Sequence, residues 1–264
     1  MNAEQLTQFK TWFADYVRPF YGDDDYVNAN LRLKEDHTKR VCDEILYLCS
    51  ELNLDENRKR IAETIALLHD IARFPQFAKY RTYHDARSIN HCAFAIQILT
   101  ENKILRPLDP AEKHLILKAI EYHGAKDLPS KLDEETLLFC KLIRDADKLD
   151  IYHILIENYR RHRQAPSLFC LEVELPDEPY YSPEIIDNVL NEQNIDYGKV
   201  RTWNDLMLLN LAWVYDINFI PTLKRIKQKK FLEQVLEFLP DTADIRRVRK
   251  KVLDYLNSAI KQGK

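Results

Sequence analysis

Glycine is scarce: 4 of 264 residues, about a fifth of the usual ~7%. All-β sandwiches, propellers and glycine-rich nucleotide loops need glycine in their turns, so its scarcity disfavours them and predicts a mostly helical chain. Paired cysteine motifs are also lacking. The five (Cys42, Cys49, Cys92, Cys140 and Cys170) form no C-x-x-C pair. They read as small buried hydrophobes in a reducing compartment rather than as a disulfide framework. No run approaches the ~18 apolar residues of a membrane span. The opening MNAEQLTQFK lacks the apolar stretch of a signal peptide, so a cytoplasmic protein with no membrane partner is expected. A net charge of −3 gives no global reason to expect nucleic-acid binding.

What is present is helical periodicity. Leu6, Phe9, Phe13, Tyr16, Val17 and Phe20 form one stripe, and His37, Val41, Ile45, Leu48 and Leu52 form a second. A third helix starts at an Asp55 cap, runs through Ile61, Ile65 and Leu68 into His69-Asp70, and stops before Pro75. Residues 85–101 read as a fourth. Asp109-Pro110 opens a helix ending at His123-Gly124, and Asp133 caps a long one. Prolines then punctuate 164–183 around the alternating LEVEL segment, which allows at most a short β-arm near 168–175. Three more helices follow, one strongly apolar (DLMLLNLAWVYDINFI) and one basic on one face (DIRRVRKKVLDYLNSAIK). The expected fold is all-α: a helical core at about 24–163 and a C-terminal helical extension at about 164–264. The extension's apolar stripes need a partner surface, so residues 1–264 are expected to form one compact unit.

Chemistry-bearing residues fall on or beside the apolar faces: His37, His69-Asp70, His91, His123 and the pair Asp145 and Asp147. A buried unpaired charge is very costly, and one metal between facing helices would serve all these groups together. The donors are nitrogen and oxygen, which suits Mn, Fe, Co, Ni or Zn. Taken singly, each histidine is more often an ordinary core or surface residue, and His84, His114, His153 and His162 are read that way.

Order and spacing carry the weight. H-T-K-R-V (37–41), L-L-H-D-I-A-R (67–73) and R-D-A-D-K-L-D (144–150) together resemble the HD domain superfamily of metal-dependent phosphohydrolases, over roughly residues 30–160. The resemblance implies an HD-type helical bundle and one divalent metal held by His37, His69, Asp70 and Asp147. Asp145 is the alternative for the last position. It leaves a second ion open, held by Asp70, His91 and His123 as in dinuclear members; alternatively those two histidines bind phosphate or donate protons. His123 at a helix C-terminus is favoured as a cation, which weighs against its use as a ligand.

Some members carry H-D-x-x-E; here the last position is Arg73, which cannot act as a base but matches phosphate in a bidentate fashion. Asp70, Arg73 and Lys148 are the expected catalytic residues, Arg73 and Lys148 neutralising phosphoryl charge. A metal-bound hydroxide is the expected nucleophile, because the metal lowers the pKa of its water towards ~7. The segment 73–85 reads as a loop bordering the cleft, its Lys79 and Arg81 interleaved with Phe74, Phe77, Tyr80 and Tyr83; simple packing is the competing account. The expectation is therefore a phosphohydrolase acting on a phosphoester or phosphoanhydride of a small metabolite, with a nucleotide favoured. The alternatives are a di-iron oxygenase on the same ligands and a non-catalytic nucleotide-sensing module. The basic stretches 224–230 and 246–251 read as solvated helix faces, so no nucleic-acid partner is expected. The apolar DLMLLNLAWVYDINFI helix leaves open a homodimer surface or burial within the chain.

Overall fold

A computed structural model of the protein describes residues 1–164 and 175–263. Twelve α-helices and no strand occur among the described residues, so the fold is all-α. The β-arm expected near 168–175 lies, apart from Leu175, outside the described residues. The chain divides into two compact units, one of Met1–Asp150 and one of the described residues from Ile151 onward. The division falls inside a long helix rather than at 163/164.

The first unit contains α1 (Ala3–Val17), α2 (Asp25–Glu51), α3 (Glu56–Leu68), α4 (Arg73–Tyr80), α5 (His91–Glu101), α6 (Pro110–Tyr122) and the first half of α7 (Glu134–Gln164). Each of these helices except α4 begins where a short polar side chain satisfies a free N–H of the first turn. Asp55 accepts from Arg58 N, Asp109 from Ala111 N and Asp133 from Thr136 N, as their positions predict. Asp24 and Asn90 do the same for α2 and α5. Helix α2 packs on α3 and α4, α3 also on α1 and α6, and α5 on α6. Val41, Ile45 and Leu48 of α2, Ile65 and Leu68 of α3 and Ile116 and Ile120 of α6 are fully buried. Each such side chain contributes about 1.5–3 kcal/mol.

Two boundaries differ from expectation. Most of the segment read as a loop at 73–85 is helix α4: Pro75 sits in its first turn, where no intrahelical N–H bond is lost. Phe74 and Phe77 are completely buried there, so packing accounts for them and they are not a stacking surface. The helix expected at 85–101 begins only at His91, after a single 3-10 turn at Asp85–Arg87.

The second unit holds residues 151–164 of α7, then α8 (Pro183–Leu190), α9 (Trp203–Ala212), α10 (Ile220–Gln228), α11 (Phe231–Leu236) and α12 (Ala243–Gln262). All ten residues of α9 are buried, Asn204, Asp205 and Asn210 among them. It therefore offers no exposed face for a dimer. Tyr152 stacks on Phe231 and donates its hydroxyl to the Asn210 carbonyl at 2.7 Å. Helix α12 buries Ile245, Val248, Val252 and Leu256 and exposes Arg246, Arg247 and Lys250, the basic face read from sequence. No helix among the described residues is long and apolar enough to cross a membrane.

The fully buried Asp205 carboxylate joins the starts of two helices. It accepts from Ser182 N (2.7 Å), Ser182 Oγ (2.8 Å) and Arg201 N (3.0 Å). Asp205→Ala leaves these donors without partners and is expected to cost roughly 2–4 kcal/mol in urea unfolding. A loss under about 0.5 kcal/mol would mean water replaces the carboxylate at no cost.

Candidate metal centre

The candidate residues come from the ends and facing sides of six helices, all in the first unit. Lys34 and His37 lie one turn apart on α2, and Asp147 and Asp150 one turn apart on α7. His69 caps the C-terminus of α3, with Asp70 in the turn leading to Arg73 at the start of α4. His91 is the first residue of α5, and His123 caps the C-terminus of α6. Helix ends leave backbone carbonyls unpaired. Two histidines use them: His69 Nδ1 donates to Ala66 O and His123 Nδ1 to Ile120 O, each at 2.7 Å. The other two donate Nδ1 to carboxylates, His37 to Asp150 Oδ2 and His91 to Asp85 Oδ2, each at 2.6 Å.

Carbonyl and carboxylate oxygens only accept, so all four rings carry their hydrogen-bonded proton on Nδ1. That fixes each ring and turns its Nε2 towards Asp70. His37 Nε2 and His69 Nε2 stand 3.6 and 3.8 Å from Asp70 Oδ2. On the opposite oxygen, His91 Nε2 and His123 Nε2 each stand 3.7 Å from Oδ1. Asp147 Oδ1 adds contacts of 3.2 Å to His37 Nε2 and 3.8 Å to His69 Nε2. Of the two carboxylates left open by the sequence, Asp147 thus reaches the pair, while Asp145 is fully buried two positions back along α7.

The donor set fits a divalent cation. Ligand atoms sharing an ion at about 2.0–2.3 Å stand about 3–3.8 Å apart, the range seen on both sides of Asp70. His37 Nε2 and His69 Nε2 are buried without a hydrogen-bond partner. A buried ring nitrogen left so is costly, and a cation shared with Asp70 and Asp147 removes the cost. The Nδ1 partners match the arrangement of metal-bound histidines, where an acceptor behind the ring sets its tautomer and direction. The residues could hold a divalent metal, with Cys92 beside the second pair.

Electrostatics follow from burial and these contacts. Burial raises the Asp70 carboxyl, but Lys34, His69 and Arg73 outweigh it and hold the group ionised, well below the usual carboxylate range. Burial takes His69 down to about 4. Burial and Lys34 also pull His37 down, but the Asp147 and Asp150 carboxylates beside its two ring nitrogens leave it raised. For His123, burial is outweighed by Asp70 and Cys92, and the group lies well above its ordinary value. Protons on His37 and His123 therefore compete with an incoming cation. Affinity for Mn²⁺ should rise from pH 6 to pH 8, by about tenfold per pH unit for each proton displaced, with matching proton release in weak buffer. A flat profile would exclude His37 and His123 as the groups the cation deprotonates.

Three contact residues went unread in the sequence. Lys34 Nζ lies 2.8 Å from Asp70 Oδ2. Asp150 holds His37 and is gripped by both Arg40 Nε and Nη2. Asp85 holds His91 and accepts from Arg73 Nη1 at 2.9 Å. Arg73 is largely inward: Nε reaches Asp70 Oδ1 at 3.3 Å, and Nη1 also donates to Gln76 and the Tyr83 carbonyl. Its Nη2 has no hydrogen-bond partner among the described residues. Lys148 follows Asp147 on α7 and is half-buried. Lys79 lies over the Tyr80 ring and Arg81 pairs with Asp24, so neither is ion-paired to the cluster.

An all-helical bundle presenting four inward imidazoles around a shared aspartate is a histidine–aspartate arrangement that could hold a divalent metal. Residues 35–152 match the HD domain family, consistent with the HD superfamily of metal-dependent phosphohydrolases. The matched stretch contains every residue of the cluster except Lys34. Comparison with curated proteins and with solved structures gives no match.

Proposed function

We propose that the protein is a metal-dependent phosphohydrolase acting on a phosphoester or phosphoanhydride of a small metabolite, with nucleotides the favoured class. The observation that carries this reading is the position of Asp70. Its two oxygens face two histidine pairs, His37 and His69 on one side and His91 and His123 on the other. In this reading one ion is held by His37, His69, Asp70 and Asp147, and a second by Asp70, His91 and His123. The donors suit Mn, Fe, Co, Ni or Zn. Such an ion supplies Lewis-acid polarisation of a phosphoryl oxygen and acidification of water.

The rest is done by side chains. Asp150 and Asp85 keep His37 and His91 aimed inward. Lys34 and Arg73 bring two cations to Asp70, where they bind and neutralise phosphoryl oxygens as charge builds. Arg73 offers Nη2 for this while Nε and Nη1 stay fixed on the protein, and Lys148 acts from beside Asp147. Lys79 and Arg81, on the exposed end of α4, are the outer contacts for the rest of the substrate, where Tyr80 is the exposed ring. These cations favour a phosphorylated substrate over the uncharged one of an oxygenase.

The test is phosphate and pyrophosphate release from nucleotides and sugar phosphates with Mn²⁺, Co²⁺, Ni²⁺ or Fe²⁺, beside a chelator blank. Metal-dependent release is expected, and Arg73→Ala should lower kcat about tenfold or more. Silence across the panel together with iron-dependent dioxygen uptake would replace this reading with the oxygenase.

A further inference from the structure

We propose that Cys92 is a ligand of the second cation, so that Asp70, His91, Cys92 and His123 form one mixed nitrogen, oxygen and sulfur site. This rests on the reading of the Asp70 cluster as a metal centre. The sequence places Cys92 beside His91 on an apolar helix face, the position of a small core residue. In the structure it is buried, but not among apolar groups alone. Its Sγ lies 3.4 Å from His91 Nε2 and 3.6 Å from His123 Nδ1. His91 Nε2 is in turn 3.1 Å from His123 Nε2 and 3.7 Å from Asp70 Oδ1. Donors around one tetrahedral ion with bonds of about 2.0–2.3 Å are separated by about 3.3–3.8 Å, close to the 3.4, 3.1 and 3.7 Å from His91 Nε2 to Cys92 Sγ, His123 Nε2 and Asp70 Oδ1.

The rings cannot turn away. Asp85 holds His91 Nδ1 and the Ile120 carbonyl holds His123 Nδ1, so the two Nε2 atoms face each other, with the sulfur 3.4 Å from that of His91. A cation there would take both Nε2 atoms, Asp70 Oδ1 and the sulfur as ligands together. Gly124 supplies the room: a Cβ there would stand 3.1 Å from Cys92 Sγ and 3.3 Å from His91 Cε1. On ligation the sulfur binds as thiolate and its proton passes to bulk solvent. Thiolate ligands favour zinc and iron, whereas carboxylate-rich sites suit magnesium and manganese. The two halves of the centre therefore differ, and the His91–Cys92–His123 side takes the softer ion.

Cobalt(II) titration of the chelator-stripped full chain tests this. Two equivalents should bind, and one of them should bring an intense near-ultraviolet thiolate-to-cobalt charge-transfer band. In Cys92→Ser the band should vanish while the weaker ligand-field bands of the other ion persist, and affinity for that equivalent should fall at least about tenfold. Zinc should erase the band before manganese does. If Cys92→Ser does not fold, His91→Ala serves, with one equivalent bound and no band. Cobalt bound without the band, or a band that survives in Cys92→Ser, overturns the sulfur ligand and leaves the proposed function standing. No cobalt bound at all overturns both.

Discussion

Asp70→Ala is expected to abolish divalent-metal binding and turnover together while the helical fold persists. The effect is large because one carboxylate serves both histidine pairs, Oδ2 facing His37 and His69 and Oδ1 facing His91 and His123. Bound metal should fall below about a tenth of the wild-type value, and kcat/KM by at least about 10³-fold. The fold should survive because Asp70 lies in the turn between α3 and α4, not inside a helix. Some stability is lost, since Lys34 and Arg73 lose the carboxylate they share, yet both side chains retain a little exposure and can reach water. Elemental analysis after dialysis and far-ultraviolet circular dichroism check the two halves of the claim. Activity surviving in Asp70→Ala would dismantle the site assignment.

The second large effect is expected one layer out. Asp150 is not a metal ligand, but it holds His37 Nδ1 at 2.6 Å and is itself held by Arg40. Asp150→Ala frees the His37 ring to rotate and leaves the Arg40 guanidinium without its acceptor. Loss of such a partner typically weakens metal binding by 10–100-fold, and that range is expected for the ion on the His37 side. Asp150→Asn keeps an oxygen that can accept from Nδ1 and should recover part of the affinity. The ion on the His91 side, whose ring is held by Asp85, should bind as in the wild type. Equal weakening of both ions would show general loosening rather than control of one ring.

The inner residues were legible because their types are chemically costly to bury and their order is distinctive. His37, His69, Asp70, His91, His123 and Asp147 all stand on apolar faces or at helix ends, and the structure brings all six together. What the sequence did not reveal is the layer behind them. Asp150 binds a histidine 113 positions away, a distance no local pattern spans. A signal did exist: Asp150 lies three residues after Asp147 and so shares its face of α7. Lys34 carried the same kind of signal relative to His37. Asp85 had none, since its partner is reached by a turn that periodicity does not encode. Cys92 was hidden for another reason: a buried cysteine looks the same in sequence whether it packs or ligates. Pro75 misled the reading of 73–85, because a proline in a first turn is compatible with the helix it seems to end.

The central claim is that these four imidazoles and Asp70 hold divalent cations, and direct ion counting tests it. The chelator-stripped protein is dialysed against Mn²⁺, Co²⁺, Zn²⁺ and Fe²⁺ in turn, and bound metal per chain is measured beside Asp70→Ala. Two ions per wild-type chain for at least one metal, and none in the variant, is the expected result. Wild-type chains that hold no ion of any of these metals, or an Asp70→Ala protein that holds as many as the wild type, would contradict it.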